Sequence, residues 1–94
     1  MSLALSARPR LVRWARLRLD PKSGQYVLLY PEKGLFLNAT GARIVKCCSG
    51  RRTLAEIVAC LVSEHPGADL TQLRSEVCRF LDEFSKRGLL RAGS

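Results

Sequence analysis

Two turn signals separated only by Gln25–Tyr30 restrict this chain more than any other feature. In Asp20-Pro21-Lys22-Ser23-Gly24, Pro fixes φ and Gly supplies a positive φ. Pro31-Glu32-Lys33-Gly34 repeats that chemistry. The segments they join are strand-like. Arg16, Leu17, Arg18 and Leu19 alternate strictly, which puts leucines on one face and arginines on the other. Gln25–Tyr30 is a second strand with apolar residues on both faces, and Leu35-Phe36-Leu37-Asn38 a short third. Two tight connections in succession imply a three-stranded antiparallel meander.

From Asn38 the period changes from two to that of a helix. Asn38 is a good N-cap, Ile44, Val45 and Cys48 share an inward face, and Gly50 suits a left-handed stop. Thr53 and Glu56 form a capping box. Behind it, Leu54, Ile57, Val58, Leu61 and Val62 recur at amphipathic spacing up to His65-Pro66-Gly67. Asp69 with Gln72 opens a third helix. Its stripe is Leu70, Leu73, Val77, Phe80, Leu81 and Phe84, and Gly88 is its stop. Strands first and helices after them mean α+β. The expected architecture is a winged helix-turn-helix: a three-stranded antiparallel meander followed by three helices, with the hairpin as the wing. Residues 1–7 are expected to be a flexible tail, 8–90 the folded domain, and 91–94 a C-terminal tail.

At 94 residues the chain makes one domain with one modest core. Charge is its unusual property: sixteen Lys and Arg against eight Asp and Glu, net +8. Arg8, Arg10, Arg13, Arg16, Arg18 and Lys22 face only Asp20 over the first quarter. Such an excess either solvates the surface or attracts an acidic partner. No apolar run approaches the roughly 20 residues of a membrane span. The opening residues lack the layout of a signal peptide. The expected compartment is the cytoplasm.

Catalytic and metal-binding motifs are missing. Cys47, Cys48, Cys60 and Cys78 have no ligand spacing and read as plain buried or half-exposed thiols. His65 stands alone, and there is no phosphate loop, HExxH or GxSxG. The expectation is a binding module that is not an enzyme and holds no cofactor or metal. Thr71, Gln72, Arg74, Ser75 and Arg79 on the third helix would suit nucleic acid, but Glu76, Asp82 and Glu83 repel phosphate. A winged-helix nucleic-acid-binding protein is therefore the alternative function, not the preferred one. The third strand favours a peptide, because an uncharged edge strand can receive another chain's strand.

The succession RPRL, RLRLDPKSGQYVLLYPEKGLFLN, GRRTLAEI and RGLL resembles the PqqD family, the small D proteins of pyrroloquinoline quinone (PQQ) biosynthesis. The likeness spans about Arg8 to Leu90. It implies a recognition element for ribosomally made, modified peptides (RiPPs). Such proteins take a precursor peptide as an added strand between the third strand and the third helix. They then present it to a radical S-adenosylmethionine enzyme that crosslinks a Glu and a Tyr of the peptide. Carried over residue by residue, the resemblance implies a strand side of Leu35, Phe36, Leu37 and Asn38, and a helix side of Arg74, Cys78, Leu81 and Asp82. A monomer or weak dimer is expected.

Overall fold

The structure is a computed structural model that describes residues 4–31 and 33–93. The first three residues of the expected N-terminal tail, Glu32 of the second turn and Ser94 lie outside the described residues. The elements in chain order are β1 (Arg8–Leu11), β2 (Arg16–Leu19), β3 (Tyr26–Tyr30), β4 (Lys33–Leu37), α1 (Ala39–Cys47), α2 (Leu54–Glu64), α3 (Leu70–Lys86) and β5 (Leu90–Gly93).

The meander is β2-β3-β4, antiparallel throughout, so the expected third strand is β4. The Asp20 carboxylate closes its first turn by accepting from the Lys22 N–H at 3.2 Å and the Ser23 hydroxyl at 2.9 Å. Gly24 follows at φ +73°, where a side chain would be strained. Directly paired residues share a face of the sheet. Leu35 lies opposite the fully buried Leu28, so Leu35 and Leu37 point to the core side. Phe36 lies opposite Val27 on the outer face and is 60% exposed. The leucine face of β2 holds Leu17 half-buried, whereas Leu19, at the strand's end, is exposed.

One feature departs from the three-strand expectation. The N-terminal stretch is two strands, because Val12–Ala15 turns on a hydrogen bond from the Ala15 N–H to the Val12 carbonyl at 3.2 Å. Val12 and Ala15 are buried and pin that turn. β1 pairs antiparallel with β5, and its other side meets the end of α1 through the Arg10–Ser49 bridge. The pairing joins the two ends of the chain, so local alternation does not reveal it. It also carries Arg91, Ala92 and Gly93 in a strand, within the stretch expected to be a tail. At the other end, the Leu5 and Ala7 carbonyls accept from the Ala55 and Leu54 N–H groups and occupy two free donors of α2's first turn.

Each helix starts where its cap chemistry places it. Asn38 Oδ1 accepts from the Gly41 N–H at 2.7 Å. Thr53 and Glu56 close a reciprocal box at 3.1 and 2.8 Å. Asp69 accepts from the Thr71 and Gln72 N–H groups. The helices bury Leu54, Ile57, Leu61, Val77 and Leu81 against Leu28 and Leu89, all below 2% exposure. Full burial of each such side chain stabilises by about 1.5–3 kcal/mol. α1 and α2 are also tied at the surface, where Arg43 grips the Glu64 carboxylate through two nitrogens at 2.7–3.0 Å. That grip lowers the Glu64 pKa below the usual carboxylate range. Cys47 and Cys48 are buried, and burial pushes the Cys48 thiol up to about 12. No helix of the described residues is long and apolar enough to cross a membrane.

Candidate functional site

An edge strand leaves every second N–H and C=O facing outward. β4 is such a strand, because its far side pairs with no strand among the described residues. Beyond that side lies a groove of about 400 Å³ whose other wall is α3. Leu35, Phe36 and Leu37 form the strand wall. Phe80 and Phe84 form the apolar part of the helix wall, with ring centroids 4.4 Å apart. Glu76, Arg79, Glu83 and Arg87 complete that wall and give it mixed charge.

The sequence builds this wall locally. Residues three and four apart on a helix lie on one face, so Phe80 and Phe84 stack and Glu76, Glu83 and Arg87 flank them. Phe80 sits against the start of α1. A Cβ on Gly41 would come within 3.0 Å of Phe80 Cε2 and 3.1 Å of Asn38 Oδ1. Glycine at 41 therefore lets α1 begin immediately after β4 while the Phe80 ring lies across it.

Leu35, Phe36 and Leu37 thus stand where the sequence reading puts them, on a strand edge facing the third helix. Asn38 is occupied as the cap of α1. The expected helix side does not reach the groove. Arg74 borders a separate apolar hollow with Leu5, Ala55, Val58 and Leu70. Leu81 is fully buried. Cys78 is half-buried, and Asp82 is half-buried with its Oδ1 enclosed and without a hydrogen-bond partner among the described residues. At 100° per residue, these four centre on the flank of α3 opposite the groove-lining residues. The missed residues carry a visible signal. Phe80 extends the apolar stripe to one side of Leu73, Phe84, Val77 and Leu81, beyond the buried core positions.

Comparison with known proteins agrees with this architecture. The family model described as coenzyme PQQ synthesis protein D (PqqD) matches residues 25–90. A PqqA binding protein of Rhodopseudomonas palustris strain HaA2 is 30% identical over 96% of this chain and 87% of its own length. A PqqA binding protein of Pseudomonas aeruginosa strain UCBPP-PA14 is 36% identical over 87% of this chain and 88% of its own. Among solved structures, the PqqD truncation of Methylobacterium extorquens PqqCD, a stand-alone RiPP recognition element, superposes with a TM-score of 0.73 at 29% identity. That match covers 88% of this chain and 87% of the other. TbiB1, solved in complex with the TbiA(beta) leader peptide, shares the fold with a TM-score of 0.72 at 20% identity, over 87% and 94% of the two chains.

Proposed function

The chain belongs to the PqqD family, and we propose that it is a peptide chaperone, the recognition element that captures a ribosomally made, PqqA-like precursor peptide in PQQ biosynthesis. One observation carries the proposal: the unpaired edge of β4 runs opposite the stacked Phe80–Phe84 wall. The peptide enters as an antiparallel strand on β4. Its backbone pairs with the outward N–H and C=O groups, which gives affinity nearly blind to side chains. Alternate side chains of the peptide point to opposite faces. One set presses between Leu35, Leu37 and the phenylalanines, and the other lies beside Phe36. The first set is the selective one, because it fills a walled space.

The chain does no chemistry on its guest in this reading. It presents the peptide to a radical S-adenosylmethionine enzyme, which joins a Glu and a Tyr of the peptide in the cytoplasm. Amide chemical-shift mapping with a PqqA-like peptide tests the capture mode. Shifts are expected at Leu35–Leu37 and at Glu76, Phe80, Glu83 and Arg87. Shifts confined to Leu54–Glu64, with β4 silent, would overturn it. The purified protein alone should return the peptide at unchanged mass. A mass change without added enzyme would refute the non-catalytic role.

A further inference from the structure

A second surface, built from the chain's two ends, has the opposite character. The Val12–Ala15 turn is anchored by its buried outer residues and by a hydrogen bond from the Val12 N–H to the Leu89 carbonyl at 2.9 Å. Between those anchors it displays Arg13 and Trp14, and Trp14 is 52% exposed. The Arg91 guanidinium lies 5.8 Å above the Trp14 ring. In the β1–β5 pairing Arg10 stands directly opposite Arg91. Like charges in direct cross-strand register repel. Among the described residues no carboxylate reaches ion-pairing distance of Arg10, Arg13 or Arg91; the ion pairs found are Arg43–Glu64 and Arg87–Glu83. The three arginines and Trp14 surround a hollow of about 470 Å³. On its other side Trp14 borders a second hollow with Arg16, Leu29 and Lys33.

We infer that this Arg10–Arg13–Trp14–Arg91 face is a docking site for an acidic segment of a protein partner, separate from the peptide groove. An anchored, half-exposed Trp ringed by arginines has the composition of an interface hot spot. Guanidinium groups bind carboxylates in paired hydrogen bonds, and an incoming carboxylate would relieve the Arg10–Arg91 repulsion. Glutamate or aspartate side chains meet the arginines, and an apolar neighbour rests on the open part of the indole. Single-stranded nucleic acid, which also seeks arginines beside an aromatic ring, is the competing occupant, and the titration below decides between the two.

Trp14 is the chain's sole tryptophan, so its fluorescence reports on this site directly. The test is a titration with a capped synthetic oligoglutamate peptide carrying one central leucine. A saturable change in Trp14 emission is expected. Arg91→Glu should weaken binding about tenfold, the loss of roughly one charge-assisted contact. Lys22→Glu makes the same charge change on the distant Asp20–Gly24 turn and should leave binding within about twofold. Circular dichroism establishes that each variant is folded, and Arg13→Glu, which lies in the turn outside β1 and β5, repeats the test without touching the pairing. An equal effect of Lys22→Glu would reduce the attraction to net charge and overturn the site. So would the absence of saturation, or tighter binding of single-stranded DNA than of the acidic peptide at the same salt.

Discussion

The β4–α3 groove and the Trp14 face are incomplete in different ways. Among the described residues the groove lacks backbone partners: β4 has an unpaired edge, and the apolar part of its walls is leucine and phenylalanine. The Trp14 face lacks counter-charges among the described residues: its backbone is paired, and no described carboxylate forms an ion pair with its arginines. An unpaired edge invites an extended chain of loosely specified sequence, whereas an unpaired charge cluster invites a surface of specified sign. The two also arise differently. The groove comes from one short strand and one helix, and the Trp14 face from residues at opposite ends of the chain, Arg10 and Arg91. A small domain can therefore serve two partners at once, because neither surface uses the other's residues.

The largest effect should come from removing the groove's backbone function. Proline at Phe36 deletes an N–H and cannot extend a ladder. One ladder bond is worth only about 0.5–1.5 kcal/mol net, and local distortion adds to it. Phe36→Pro should weaken a PqqA-like peptide more than tenfold, as measured by calorimetry on protein shown folded by circular dichroism. It should leave oligoglutamate binding at Trp14 within about twofold. If both fell together, the two surfaces would be one coupled site and the contrast would fail.

A smaller effect separates the two flanks of α3. Phe80→Ala removes one ring of the apolar wall, and peptide affinity should fall by about 1–2 kcal/mol, roughly tenfold. Cys78→Ala and Asp82→Ala alter the opposite flank and should change affinity by less than about threefold. The reverse ranking would return the binding face to Arg74, Cys78 and Asp82.

That flank is where legibility stopped. The meander was readable because its turns carry chemistry in consecutive residues, as Asp20 and Gly24 do. The helix starts were readable for the same reason at Asn38, Thr53 and Asp69. A stripe also gives the inward direction of α3, since Leu73, Val77 and Leu81 repeat at helical spacing. It does not say which flank faces β4. That depends on how α3 crosses the sheet, which long-range packing sets. The β1–β5 pairing stayed hidden for a related reason: its alternation is short, and its partner lies at the far end of the chain. Pro9 is a fully buried residue of β1. The open edge at Leu35–Leu37 was legible because strand order in a meander follows sequence order.

The next prediction concerns how the groove wall is seated. Gly41→Ala adds a methyl 3.0 Å from Phe80 Cε2, closer than unstrained carbon contacts allow. Phe80 borders open space in the groove, so its ring can move and the fold should survive with a loss of about 1 kcal/mol or less. The ring's displacement should shift the Phe80 and Phe84 aromatic resonances and change peptide affinity by a few-fold. Trp14 fluorescence should stay unchanged. An unchanged affinity alongside shifted aromatic resonances would mean that the peptide does not rest on Phe80, and the helix wall would lose its selective role.

The smallest expected effect is the response of the groove to salt, and it sharpens the comparison most cheaply. Screening shortens the reach of exposed charges to about 10 Å at 0.1 M ionic strength and about 3 Å at 1 M. A guest held by backbone pairing and apolar contact owes little of its affinity to exposed charge. The groove's charges are also of both signs, Glu76 and Glu83 against Arg79 and Arg87. Peptide affinity in the groove should therefore change by less than about threefold between 0.1 and 1 M salt. Oligoglutamate at the Trp14 face meets charge of one sign and should lose about tenfold or more over the same range, largely through slower association. Stopped-flow measurement of both ligands on the same protein gives the two slopes directly. Equal slopes would mean that the basic N-terminal region also draws in the groove's peptide, and the division between a backbone-hungry surface and a charge-hungry one would not hold.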